Sequence, residues 1–248
     1  MSAEIHSLPK RFPSTHWSVI LRTKTGGEEA GRKALTDLLV RYRAPLISHL
    51  IRKRRLSQDR AEDVLQGFIA DRILEKHLIA RADKTRGKFR TYLLTALDNY
   101  LIDLVRQERA RKPPDGSIFS VEDEHTLMPE DAAVSDVFDV AWAQEVLART
   151  LRLMHEHCRE FRRSDVWAVF EARVMRPCLE GTDPLPYEEL VKEFGFRSPK
   201  QAGDVLTTGK RMFTRSLRKV VREYVENSDE VEAEIAELHE ILSQARAE

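Results

Sequence analysis

Three groups of side chains stand at spacings that suit recognition rather than bond-making chemistry. The first is Asp63, Gln66, Gly67 and Ala70, which fall together on one side of a helical projection. An acid and an amide beside two small residues would let another helix approach closely and be held by hydrogen bonds. The second group starts in the basic stretch Lys84-Thr85-Arg86-Gly87-Lys88-Phe89-Arg90 and continues through Thr95, Asn99, Arg106 and Arg109. Cations here would attract phosphates without regard to sequence, while an amide or an aromatic ring can read or stack on exposed bases. The third group is Lys200, Gln201, Asp204, Thr207, Thr208, Lys210 and Arg211. In a major groove, Gln201 suits adenine and Asp204 can accept from cytosine.

Elements that could carry these groups are helices. Leu35, Leu38, Leu39, Tyr42, Leu46 and Leu50 trace one helical face, bent near Pro45. Ser57 suits the N-cap of a second helix, with Ala61, Val64, Leu65, Phe68 and Ile69 as its buried stripe. A third follows Arg86-Gly87, its apolar stripe running from Phe89 to Leu104. Together they predict a compact three-helix bundle. Tyr92 and Tyr100 fall on its core side, and Asp103, at the stripe's edge, suits an ion pair with an arginine. Further on, Pro186–Phe194 reads as a short helix and Gly195-Phe196-Arg197 as a turn. Ser198 then reads as an N-cap with Pro199 at the first position of a long helix reaching Tyr224. Helix, glycine-containing turn and helix is the helix-turn-helix plan. No sustained strand-like alternation occurs, so the expected fold class is all-α.

Charge divides the chain where periodicity does. The 248 residues carry 41 Lys/Arg and 41 Asp/Glu, for zero net charge. Residues 1–112 hold 24 basic against 13 acidic side chains, and residues 113–139 hold none against 8. Residues 140–224 hold 16 against 12, and residues 225–248 hold 1 against 8. Two basic blocks, each followed by an acidic one, suit polyanion-binding domains with acidic connectors. The expected organisation is an N-terminal domain over 1–112, an acidic linker over 113–139, a helix-turn-helix domain over 140–226 and an acidic amphipathic helix over 227–248. Val231, Ile235, Leu238 and Leu242 give that last helix an apolar stripe. It could restrain the basic helix-turn-helix or simply pack for stability.

Catalysis and cofactors have no support in the sequence. Gly-rich phosphate loops, nucleophile elbows and zinc-protease motifs are absent. His155 and Cys158 lie one helical turn apart without a second ligand pair, so no metal is expected. Two cysteines make no disulfide framework and suit a reducing compartment. The first residues lack the apolar core of a signal peptide, and no apolar run reaches membrane-spanning length. A soluble, cytoplasmic protein without a membrane partner is expected.

The series Ala61-Glu62-Asp63-Val64-Leu65-Gln66-Gly67-Phe68, then Phe89-Arg90-Thr91-Tyr92-Leu93, then Asn99, Asp103 and Arg106 resembles region 2 of bacterial RNA polymerase sigma factors. The likeness is to the extracytoplasmic-function type and covers roughly residues 34–112. The helix-turn-helix is similar to sigma region 4, although Gly203 and Thr208 stand where many relatives carry Lys or Arg. The resemblance implies core RNA polymerase and promoter DNA as partners, with an anti-sigma protein as a further partner class. Asp63 and Gln66, on the face with Gly67 and Ala70, would meet the polymerase. Arg86, Lys88, Arg90, Asn99, Arg106 and Arg109 would engage the minus-ten element, and the third group would face the minus-thirty-five element. Two rival readings are a helix-turn-helix transcription regulator acting without polymerase and a sigma-mimicking polymerase-binding protein.

Overall fold

A computed structural model describes residues 28–82, 89–111, 136–225 and 228–245 of the chain. Among these the secondary structure is helical throughout, with no strand. The expected packing role of Phe12–Trp17 lies outside the described residues. The chain forms two compact units: Met1–Ala143 with Arg222–Glu248, and Gln144–Val221.

In the first unit, α1 (Glu28–Arg52) carries Pro45 in its interior and buries Leu38, Tyr42, Leu46 and Leu50. After a short turn, α2 (Gln58–Phe68) starts at Ser57, whose hydroxyl accepts from the Arg60 N–H at 3.3 Å. Such a cap is worth about 1 kcal/mol over alanine. The helix buries Ala61, Val64, Leu65 and Phe68, as the periodicity predicts. It continues directly into a π-helical segment, Ile69–Glu75. Next comes α3 (Phe89–Arg111), which buries Phe89, Leu93, Leu94, Leu97, Tyr100 and Leu101.

Two later segments complete this unit. Helix α4 (Asp136–Glu160) starts inside the stretch expected to be linker, and its first turns bury Phe138 and Trp142. The Tyr42 ring stacks on Trp142 at 4.9 Å and meets Phe89 edge-on at 5.6 Å. Tyr224 closes on Trp142 at 5.5 Å. Aromatic pairs of this kind add about 0.5–1.5 kcal/mol each beyond area burial. The C-terminal helix α9 (Ser228–Gln244) buries Val231, Leu238 and the carboxylate-bearing Glu234. The compact units therefore differ from the expected division at 112, 139 and 226. Residues 138–142 and α9 bury their apolar faces in the same unit as α1 to α3, which composition alone could not show.

The second unit holds the rest of α4, then α5 (Ser164–Phe170), a π-helical turn (Glu171–Met175), α6 (Arg176–Glu180), α7 (Tyr187–Phe194) and α8 (Pro199–Arg222). Met154, Cys158, Val166, Val169, Phe170, Leu190, Ala202 and Leu206 form its core. Helix α8 crosses α5 closely at Gly209, where an added Cβ would stand 3.3 Å from Phe170 Cβ and 3.5 Å from Val166 Cγ1. Cys158 and His155 are packing groups: Cys158 is buried with its Sγ 3.4 Å from Met212 Sδ, and the His155 ring lies 4.5 Å from Trp167. Among the described residues no His, Cys, Asp or Glu cluster is placed to hold a metal ion. No helix among them is long and apolar enough to cross a membrane.

Candidate docking face and nucleic-acid interface

With Ala61, Val64, Leu65 and Phe68 turned inward, α2 must turn Asp63 and Gln66 outward, and both are exposed. Neither takes part in an ion pair or side-chain hydrogen bond among the described residues. Ala70 is exposed on the π-helical segment that follows. Such one-turn widenings are frequent at functional positions.

Gly67 has a different role from the one its sequence position suggests. It is half-buried, and a Cβ there would overlap the Tyr100 hydroxyl. That hydroxyl donates to Asp71 Oδ2 at 3.2 Å, while the Tyr100 ring packs against Phe68 at 5.8 Å. Burial, with Asp71 beside it, pushes the Tyr100 phenol up from its usual value. Gly67 therefore has an internal reason to be small, since Tyr100 lies behind it. Gly67→Ala gains about 1 kcal/mol in helix propensity but forces a well-packed ring to move, so a net loss of about 1–2 kcal/mol is expected. In a Tyr100→Phe background the obstructing oxygen is gone, and the same substitution should become neutral or stabilising. Urea unfolding of the four proteins in the cycle measures the change of sign.

Helix α3 presents Thr95, Asn99, Arg106 and Arg109 on one exposed side, as expected. Asp103 pairs with Arg72 at 2.5 Å, which is the structural ion pair its edge position predicts. Arg86 and Lys88 lie outside the described residues. Arg90 contradicts its expected role. Its side chain is 1% exposed, with Asp139 Oδ1 at 3.1 Å from Nε, Glu234 Oε1 at 3.5 Å from Nη1 and Glu237 Oε1 at 2.5 Å from Nη2. Burial works against its charge, but Glu234, Asp139 and Glu237 outweigh that and hold its pKa above the usual arginine value. Buried arginines persist when caged by carboxylates, and this one has no route to a phosphate.

Asp98, next to Asn99, was not singled out by its sequence. It faces inward to meet His49 Nε2 at 2.8 Å and accepts from Arg54 Nε at 2.9 Å and Nη2 at 2.7 Å. This contact ties Arg54 down, while its neighbours Arg52, Lys53 and Arg55 stay exposed.

In the second unit the helix-turn-helix forms from local signals. Gly195 ends α7 at φ 70°, a left-handed conformation that glycine adopts without strain. The Gln201 N–H donates to Ser198 Oγ at 3.3 Å, and the Arg197 N–H donates to Gln201 Oε1 at 2.7 Å. This reciprocal arrangement caps the helix start. It also corrects the expected base-reading role of Gln201, because its carbonyl oxygen is already committed. Lys200, Asp204, Thr207 and Arg211 are exposed, and Thr208 is half-buried. The Thr207 and Thr208 hydroxyls donate to the carbonyls of Gly203 and Asp204, each at 3.0 Å. Lys210 sits about 80° round the helix from Lys200, at the flank of this stripe. Leading into α7, Arg173 covers the Tyr187 ring at 4.3 Å and donates to the Leu185 carbonyl at 2.5 Å. That pair fastens the long approach after α6.

Compared with known proteins, the chain matches no family model, no curated protein and no solved structure.

Proposed function

We propose that the protein is an alternative sigma factor of the extracytoplasmic-function type, which binds core RNA polymerase and promoter DNA. It would lend the polymerase recognition rather than catalysis. The observation that carries this reading is the outward-facing Asp63 and Gln66 on a Ser57-capped helix, both without a side-chain partner among the described residues. Polar groups left unspent on an otherwise well-used helix are available to a protein partner. The exposed Asn99, Arg106 and Arg109 on α3 suit a melted strand, and the capped helix-turn-helix suits duplex DNA. Gly67 and Arg90 no longer support the reading, so docking rests on Asp63, Gln66 and Ala70. Strand contact rests on Asn99, Arg106 and Arg109, with Arg86 and Lys88 outside the described residues.

The test is size-exclusion co-elution with the host's core RNA polymerase. Wild-type protein is expected to co-elute, and Asp63→Arg/Gln66→Ala is expected to lose binding by at least about tenfold, or roughly 1.4 kcal/mol. A wild-type chain that binds promoter DNA but never polymerase would instead be a stand-alone helix-turn-helix regulator. One observation favours a second reading. With Gln201 engaged in capping and the Thr207 and Thr208 hydroxyls donating to the helix backbone, α8 has fewer groups free to read bases. A polymerase-binding protein that mimics a sigma factor without selecting promoters would co-elute yet leave promoter choice unchanged.

A further inference from the structure

The second unit contains a groove of about 420 Å³ whose lining, Lys210 apart, has no functional role described above. Leu147, Leu151, Phe170, Val174, Leu179 and Phe213 supply its apolar surface. Phe170 and Phe213 stack at 5.5 Å, and Leu179 at the mouth is 76% exposed. The volume falls in the range of sites that enclose a small organic ligand. Part of the wall comes from the π-helical turn Glu171–Met175, whose wider turn shifts Val174 and Met175 relative to an α-helical course. Among the described residues, Lys210 is the only charged side chain lining the groove. Its ammonium makes no ion pair among the described residues, and it stands on the flank of α8 away from the base-reading stripe. The Thr214 hydroxyl is beside it, donating to the Lys210 carbonyl at 3.0 Å and keeping its acceptor lone pairs.

We propose that this groove binds an amphiphilic anion, a small molecule with an aliphatic body and one terminal carboxylate. The body would cover the exposed apolar surface, where each buried methylene contributes about 0.8 kcal/mol. The carboxylate would meet the unpaired Lys210 at the rim, where water still reaches it. Charge complementarity selects an anion over a neutral amphiphile, because Lys210 at the edge of the apolar surface has no ion-pair partner among the described residues. Binding here is independent of the function proposed above, so the two tests fail separately.

Cys178 makes the occupancy measurable. It lines the groove and is exposed, whereas Cys158, the other free cysteine, is buried. Iodoacetamide labelling of the full chain, read site by site by mass spectrometry, therefore reports on the groove at Cys178 and on the fold at Cys158. Decanoate at some ten times its dissociation constant is expected to slow Cys178 alkylation about tenfold. Lys210→Met is expected to weaken decanoate by up to about fivefold and leave 1-decanol unchanged, with Cys158 unlabelled throughout. Isothermal titration calorimetry on both proteins gives the same comparison without the thiol. Protection that is equal for decanoate and decanol and indifferent to Lys210→Met overturns the proposal, as does no protection by either.

Discussion

Replacing Arg90 by alanine is expected to destabilise the first unit by about 3–5 kcal/mol, the cost seen when one partner of a buried ion cluster is removed. Arg90 is the cation facing Asp139 of α4 and Glu234 and Glu237 of α9, and Glu234 is fully buried. Tyr42 and Tyr224 have their phenols pushed up chiefly by burial, so they stay neutral and add no negative charge to the cluster. Without the guanidinium, Asp139, Glu234 and Glu237 would each lose a cation partner, at a place where Glu234 is fully buried. Urea unfolding at pH 7 measures the loss. Lowering the pH should narrow the gap between variant and wild type, since protonating a carboxylate removes repulsion only where the arginine is missing. Adding Glu234→Gln to Arg90→Ala should recover part of the stability for the same reason. A loss below about 1 kcal/mol would mean the site admits water freely and would sink the account. Weaker DNA binding by Arg90→Ala would not by itself indicate a DNA contact, because the variant is expected to be partly unfolded.

Asp98→Ala should cost about 3 kcal/mol at neutral pH by the same logic at a second site. It would leave His49 and Arg54, whose side chains are 2% and 8% exposed, without the carboxylate that joins the end of α1 to α3. Burial pushes the Asp98 carboxyl up, but hydrogen bonds from His49 and Arg54 more than reverse this and hold it below the usual aspartate value of 3.8. A carboxyl whose folded pKa lies below its unfolded one contributes stability that is fully present above the unfolded value. That contribution is lost as pH falls through the folded value. Wild type should therefore lose an increment of stability below about pH 4 that Asp98→Ala never had, and the two unfolding curves should converge there. Thermal melts followed by circular dichroism between pH 7 and pH 3 measure the convergence. A gap that stayed constant down to pH 3 would count against the ionised Asp98 as the source.

Local signals were legible in the sequence and distant ones were not. The stripes of α1, α2 and α3 are readable because each buried face repeats at the helical period within its own element. Ser57, Ser198 and Gly195 are equally local: each acts on residues within four positions of itself. The helix-turn-helix plan could thus be drawn from residues 186–224 alone. Arg90 was misread because its basic neighbours suggest a phosphate surface, while its carboxylates come from Asp139, Glu234 and Glu237. Gly67 projects to the outer side of α2 on a helical wheel, but Tyr100 from α3 reaches under that edge. Gln201 suits adenine by residue type, and only the geometry of Arg197 shows its oxygen to be occupied. The acidic stretch 113–139 reads as a connector by composition, yet its last residues begin α4, because Phe138 and Trp142 find Tyr42.

The first unit is built from both ends of the described chain, and this bears on how it is made. Arg90 and Glu237 are 147 positions apart, and Arg41 and Glu223 are 182 apart. On a ribosome adding about 5–20 residues each second, roughly 7–30 s separate Arg90 from Glu237. Through that interval α1 to α3 must wait with an arginine destined for burial: at first none of its three counter-charges has been synthesised, and after Asp139 two are still missing. The second unit, continuous in sequence, can finish folding first, although it is encoded later than most of the other. The first unit, begun earlier, is thus completed after the second, with α9 as its own last helix to be made.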